Sequence, residues 1–183
     1  MHLRFLLTAL FAAIAIPGAI PDALHAQDQP QASRPAQQTI QLVTRFDDAT
    51  ISRLLLDVQA TWTIEAGPDG RSIYRASAAG GINFAVLPRS CSAEQGCTGL
   101  LVIANFAGAQ ADGPPALDEV LNRFNDLNAS AKVYRAGESA VVLQSYINAL
   151  YGISYPNAKA QLLVFGQELQ KLREVLTSLG EGR

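Results

Sequence analysis

Between Gly81 and Phe106 two apolar runs, Ile82-Asn83-Phe84-Ala85-Val86-Leu87 and Leu100-Leu101-Val102-Ile103-Ala104-Asn105-Phe106, flank a polar loop. The loop holds the chain's two cysteines, in Cys91-Ser-Ala-Glu-Gln-Gly-Cys97. Short apolar runs rich in β-branched and aromatic residues and bounded by turn signals read as buried strands. The pair is expected to form a β-hairpin at the centre of a small sheet, bracketed by Pro88 and Gly108, with its loop pinned by a disulfide. A hairpin this apolar needs cover, so the rest of the chain has to supply it.

Whether the cysteines pair depends on where the chain lives. Arg4 is followed by an apolar run from Phe5 to Ile16, broken by Pro17 and Gly18, and Leu24-His25-Ala26 precedes Gln27. This is the plan of a secretory signal peptide over residues 1–26, cut after Ala26. The rival reading, a membrane anchor, needs about 20 apolar residues, more than this run offers. No other stretch is apolar enough to span a bilayer, so the expectation is an exported protein, periplasmic or secreted, with no membrane span after cleavage. Arg4 and Asp22 leave together with the leader, so the net charge of −2 is unchanged and supplies no basic face for nucleic acid.

In an oxidising compartment two cysteines in one loop read as a disulfide, Cys91 to Cys97. A redox pair usually has two residues between its cysteines, and a metal site needs further ligands. The short loop gives the bond only about 2–2.5 kcal/mol in the chain-entropy picture, so it shapes the tip more than it holds up the fold.

The segment 27–38 is rich in glutamine, carries two prolines and lacks apolar periodicity, and reads as a disordered linker. The folded domain is expected over 39–183, starting with an extended lead-in at Ile40–Val43. Asp47 or Asp48 caps a helix from Ala49 to Gln59, with Ile51, Leu54, Leu55 and Val58 on one face. Strands follow at Thr61–Glu65 and Ser72–Ser77, around the turn Gly67-Pro68-Asp69-Gly70. Ala78-Ala79-Gly80-Gly81 then turns into the central hairpin. Asp112 and Gly113-Pro114-Pro115 open a second helix, whose stripe is Leu117, Val120, Leu121, Phe124 and Leu127. Lys132–Arg135 and Ala140–Ile147 form another hairpin across Ala136-Gly137-Glu138. A last helix starts at Ser154 and Pro156, carries Leu162, Phe165, Leu169, Leu172, Leu176 and Leu179, and ends at Gly180. Its stripe fits either a coiled-coil seam or a core-packing face, and its shortness favours the core. The expected class is α+β, an antiparallel sheet with helices packed on it in the order α-β-β-β-β-α-β-β-α.

These residues resemble the YbjN-like domain family over roughly Phe46 to Leu179. The likeness rests on Asp48–Gln59 followed by strands, and on an apolar hairpin ahead of the second helix. Leu121-Asn122-Arg123-Phe124-Asn125 is similar to that family's Asn-x-aromatic-Asn stretch, Ala131-Lys132-Val133-Tyr134 to its next strand, and Tyr151-Gly152-Ile153-Ser154 to its turn into a long final helix. The resemblance implies a sensory-transduction regulator with a fold like that of type III secretion chaperones, and no catalytic residues. It also implies a protein partner, of unknown identity, or a homodimer. One departure is that Ala140–Ile147 is neutral where the family is usually acidic, which argues against acid-dependent binding.

The chain's chemistry is narrow. Both histidines, His2 and His25, lie in the leader, so the mature chain has no histidine base, histidine metal ligand or Ser-His pair. No glycine-rich phosphate loop opens a helix, and the reading includes neither cofactor nor metal. Asp47-Asp48 and Asp118-Glu119 sit at helix starts, where acids cap and meet the dipole, rather than as catalytic or calcium-binding pairs. Asn122, Arg123 and Asn125 form the most interesting polar cluster. They read as backbone ligands at a helix–sheet junction or, more sharply, as a recognition patch with Tyr146, Tyr151 and Tyr155. Such tyrosines occur both at interfaces and at sheet ends. The first functional expectation is thus an exported, non-enzymatic binding or regulatory protein of the bacterial envelope that engages a protein through its sheet surface or final helix. The second is a small-ligand or envelope-stress sensor holding a metabolite or lipid between sheet and helices. A carboxylate hydrolase ranks last.

Overall fold

The computed structural model describes residues 41–107, 116–137 and 140–181. The expected leader (1–26), the linker (27–38), Gly108, Asp112, Gly113-Pro114-Pro115 and Glu138 lie outside the described residues. The elements run β1 (Leu42–Val43), α1 (Asp48–Asp57), β2 (Thr61–Ala66), β3 (Ser72–Ala78), β4 (Ile82–Ser92), β5 (Gly96–Ala107), α2 (Ala116–Leu127), β6 (Lys132–Ala136), β7 (Ala140–Asn148), β8 (Ile153–Ser154) and α3 (Tyr155–Glu181). This is an α+β domain with a six-stranded antiparallel sheet in the order β2-β3-β4-β5-β7-β6. The cysteine hairpin, β4 with β5, fills its two middle positions. Two elements add to the expected order. β1 and β8 pair with each other, Leu42 opposite Ser154 and Val43 opposite Ile153, in a separate two-stranded ribbon.

The hairpin is longer than its apolar runs. β4 passes through Pro88 and continues to Ser92, and Cys91 faces Cys97 across the ladder, joined Sγ to Sγ. Pro88 therefore does not bracket the hairpin. It marks where β4 outruns β3, whose last pair is Tyr74 with Val86, so its missing N–H forfeits no bond to β3. The true turn is Ala93–Gln95, with Gly96 at φ +70° and the Gln95 N–H bonded to Ser92 Oγ at 3.0 Å. A three-residue hairpin loop commonly closes on such a left-handed position.

Side chains alternate across the sheet, and the helices take one face. Tyr74 and Ala76 on β3, Phe84 and Val86 on β4, Leu100 and Val102 on β5, and Leu143 and Ile147 on β7 are buried together with Leu54 and Leu55 of α1 and Leu121 and Phe124 of α2. Leu162, Phe165, Leu169 and Leu172 of α3 join them, with Leu176 and Leu179 packed against the margin. The α3 stripe is thus a core face and not a coiled-coil seam. Gly180 does not end α3, which is helical to Glu181. An isolated glycine weakens a helix without breaking it. Leu127, expected in the α2 stripe, is exposed because α2 stops there.

Local bonds fix the helices to this face. Asp47 is the N-cap of α1, its Oδ1 accepting from Thr50 N–H at 2.9 Å; hydrogen bonding by the Thr50 side chain, and then by its N–H, holds the Asp47 carboxyl below the usual range. The Tyr74 hydroxyl donates to Asp48 Oδ1, and burial pushes that phenol well up. At the far edge of the sheet Asn125 of α2 grips β6. Its Nδ2 donates to Val133 C=O at 2.9 Å and its Oδ1 accepts from Val133 N–H at 2.8 Å. Val133 lies opposite Leu143 of β7, and the groups Asn125 takes are the ones Val133 presents outward, so one side chain covers that part of the sheet edge.

Glu168 on α3 is the buried acid of the core, only 4% exposed, and one of its carboxylate oxygens has no partner. Burial pushes its carboxyl up, against the pull of the Ser130 and Ala131 N–H groups and of Lys171 and Lys132. A raised folded-state value means that the native state binds the proton more tightly than the unfolded chain. Relative to Glu168→Gln, the wild-type protein is expected to gain stability as pH falls from neutral toward the ordinary glutamate range, and to lose that gain as pH rises. Parallel denaturant titrations across pH check this; identical profiles count against it. Separately, Asn125→Ala removes two bonds and leaves buried backbone unpaired, so a loss of about 2 kcal/mol is expected in chemical denaturation. A loss below about 0.5 kcal/mol would mean that water serves the β6 edge equally well.

Candidate functional site

The face the helices leave is the candidate surface. Opposite residues share a face, so the ladder brings Thr63, Arg75, Ala85, Ile103, Gln144 and Lys132 into one row across all six strands. A second row is Leu87, Leu101 and Tyr146, and a third is Asn105, Val142 and Tyr134. Ala85 and Val142 are buried even here, Leu87, Leu101 and Ile103 are half-buried, and Tyr134 and Tyr146 are exposed. An apolar band thus crosses the middle of a sheet face whose margins are polar.

Beside this band, toward β2, lies a groove of about 510 Å³, its polar lining including Thr61, Thr63, Arg75, Ser77, Asn83 and Asn105 over a floor of Ala85 and Ile103. Arg75 pairs with Glu65 across the strands at 3.1 Å, both exposed. The groove is on the outer face, while the interface between sheet and helices is occupied by core side chains such as Phe84 and Phe165, whose rings lie 6.0 Å apart. Such a surface offers shape and hydrogen-bonding groups. Among the described residues no three His, Cys, Asp or Glu groups gather as a metal site.

The residues singled out from the sequence do not converge. Asn125 serves the β6 edge, while Asn122 and Arg123 are exposed on α2. Tyr151 is 95% exposed in the connection after β7. Tyr155 is buried on the helical side, its hydroxyl donating to Asp57 Oδ2 at 3.0 Å and its ring lying 4.3 Å from the Arg53 guanidinium. Burial, then the Asp57 bond, pushes that phenol up. Only Tyr146 of the group is on the open face. The acids stay apart as well: Asp47 caps α1, Asp48 and Asp57 accept from tyrosines, and Asp118 meets Arg135 at 3.4 Å.

Tyr146 is positioned by two features that the sequence does not advertise. Its hydroxyl lies 2.8 Å from Ser90 Oγ, Ser90 being held at φ +50° between the Arg89–Gly99 and Cys91–Cys97 pairs of the hairpin. Its ring lies over Gly99 of β5, so that a Cβ there would overlap the ring. A bare glycine below an aromatic on the next strand is the signal that strand register would have exposed. No protein-family model matches the chain, and no curated protein matches it either. Among the described residues no helix is long and apolar enough to cross a membrane.

Gly99→Ala is expected to cost about 1–2 kcal/mol by driving Tyr146 off its site. The double variant with Tyr146→Ala should recover part of that loss, because the two residues touch. Additive losses in a double-mutant cycle would show that the ring does not depend on the glycine.

Proposed function

We propose that this is an exported, non-enzymatic binding protein of the bacterial envelope that engages a protein partner on the open face of its sheet. The observation that carries this reading is the division of labour between the two faces. The apolar stripe of α3 is spent on the core, while Leu87, Leu101, Ile103, Tyr134 and Tyr146 give the open sheet face an apolar surface available for a partner. Exposed apolar patches rimmed by polar residues are typical of interaction sites, and tyrosine is well suited to them. The Cys91–Cys97 bond is compatible with an oxidising compartment, and the leader-like residues 1–26 supply the route. The α+β build also suits the YbjN-like, type III secretion chaperone-like class suggested by Leu121–Asn125, and with it a regulatory role without catalysis.

A second reading is a small-ligand or stress sensor. Its support is the groove, whose size falls within the range of small-molecule sites. In that reading the ligand is a polar metabolite held on the outer face by Thr61, Thr63, Arg75, Ser77, Asn83 and Asn105.

Site-specific photocrosslinking in cells separates them. A crosslinker at Gln144 is expected to yield a discrete protein adduct that is lost with Leu101→Asp, whereas one at Glu174 on the helical side yields none. Absence of an adduct at Gln144, or equal adducts at both sites, would sink the protein-partner reading. A metabolite retained on the purified protein and released by Arg75→Ala would favour the sensor.

A further inference from the structure

The two ends of the sheet are treated differently. On β6 the outward groups of Val133 are taken by Asn125. β2, at the other end, pairs among the described residues with β3 alone, and all of its residues except Trp62 are exposed. Its sequence, Thr-Trp-Thr-Ile-Glu-Ala, is of strong strand formers and lacks the devices that usually guard an edge. It has no proline and no lysine, and its one charge, Glu65, is engaged by Arg75. Ile64 lies 52% exposed on the same side of the strand as Trp62, the chain's single tryptophan.

We propose that β2 pairs with β2 of a second copy of this chain, antiparallel, about a twofold axis at Thr63. The strand is complementary to itself in this register. Opposed residues share a face, so Thr63 meets Thr63, Thr61 meets Glu65, and Trp62 meets Ile64 on each side of the axis. Each exposed isoleucine is covered by an indole from the other copy, a favourable aromatic with β-branched pair, and no like charges are opposed. Centring the axis one residue on, at Ile64, would set Trp62 against the small Ala66, and centring it at Glu65 would oppose two carboxylates. A twofold contact uses up both free edges and closes the assembly at a dimer. It also joins the two open faces into one, and since Thr61, Trp62 and Thr63 line the groove, each groove borders the dyad. The pairing stands whether the open face takes a protein or a small ligand.

Sedimentation equilibrium on the purified protein over a wide concentration series tests this. The expected result is a reversible monomer–dimer equilibrium, with Trp62 emission moving to the blue as dimer forms. Thr63→Lys, which opposes two ammonium groups, and Ile64→Lys should each weaken dimerisation at least about tenfold, while the monomer keeps its melting temperature. Thr63→Cys should give a covalent dimer on mild oxidation, because the described cysteines are already joined to each other, and Ile64→Cys should not. A monomer at every concentration would overturn the proposal. So would a dimer indifferent to both lysine variants, one crosslinked through Ile64→Cys instead, or a β2 edge filled by a different polypeptide.

Discussion

Burial of a single face of the six-stranded sheet is the constraint from which the other features follow. Strand side chains alternate, so covering one face commits every second residue of β3, β4, β5 and β7 to the core and presents the rest outward. Three helices supply the cover, and α3 alone contributes Tyr155, Ala158, Leu162, Phe165, Leu169 and Leu172 to it. Because the helices are committed inward, the outward row from Thr63 to Lys132 lies on the face of the sheet that they leave uncovered.

The disulfide-bonded tip has a part in this that its modest energy does not suggest. β4 and β5 project past β3, and the chain entering α1 docks there: Phe46 N–H bonds Cys97 C=O at 2.7 Å. On the other side Ala149 N–H bonds Thr98 C=O at 2.8 Å, where the chain leaves β7. The start of α1 and the approach to α3 are therefore both referenced to the same few residues around Cys97. A bond that only narrows the freedom of a loop tip in the unfolded chain fixes, in the folded one, the origin from which two helices are placed.

Local pattern carried much of the fold. Alternation and turn residues located β2 to β7, and helical spacing located the buried faces of α1, α2 and α3. What escaped were features set by long-range pairing. Leu42–Val43 reads from the sequence only as an extended lead-in and Ile153–Ser154 as part of a turn, because the pairing that makes each a strand is supplied by the other. The polar tip of the hairpin hid five further strand residues of β4, because projecting beyond β3 removes the need for apolar side chains. Asn122, Asn125 and Tyr155 look alike as polar or amphipathic residues near turns, and only the placement of β6 and α1 separates a solvent-facing amide from an edge ligand and a buried phenol. The groove could not be read from the chain either. It depends on β2 lying beside β3 and on β5 lying beside β4, which brings residues from Thr61 to Asn105 into one wall.

Asn125 has a consequence beyond the strength of its two bonds. Strand edges behave like bonding valences. A sheet with one open edge can pair off and stop, whereas a sheet with two can add copies at both ends without limit. In this domain Asn125 on α2 takes the outward groups of Val133 on β6, whereas β2 pairs among the described residues with β3 alone. A single amide thereby biases where the sheet can be extended, toward its β2 end and away from the part of β6 around Val133.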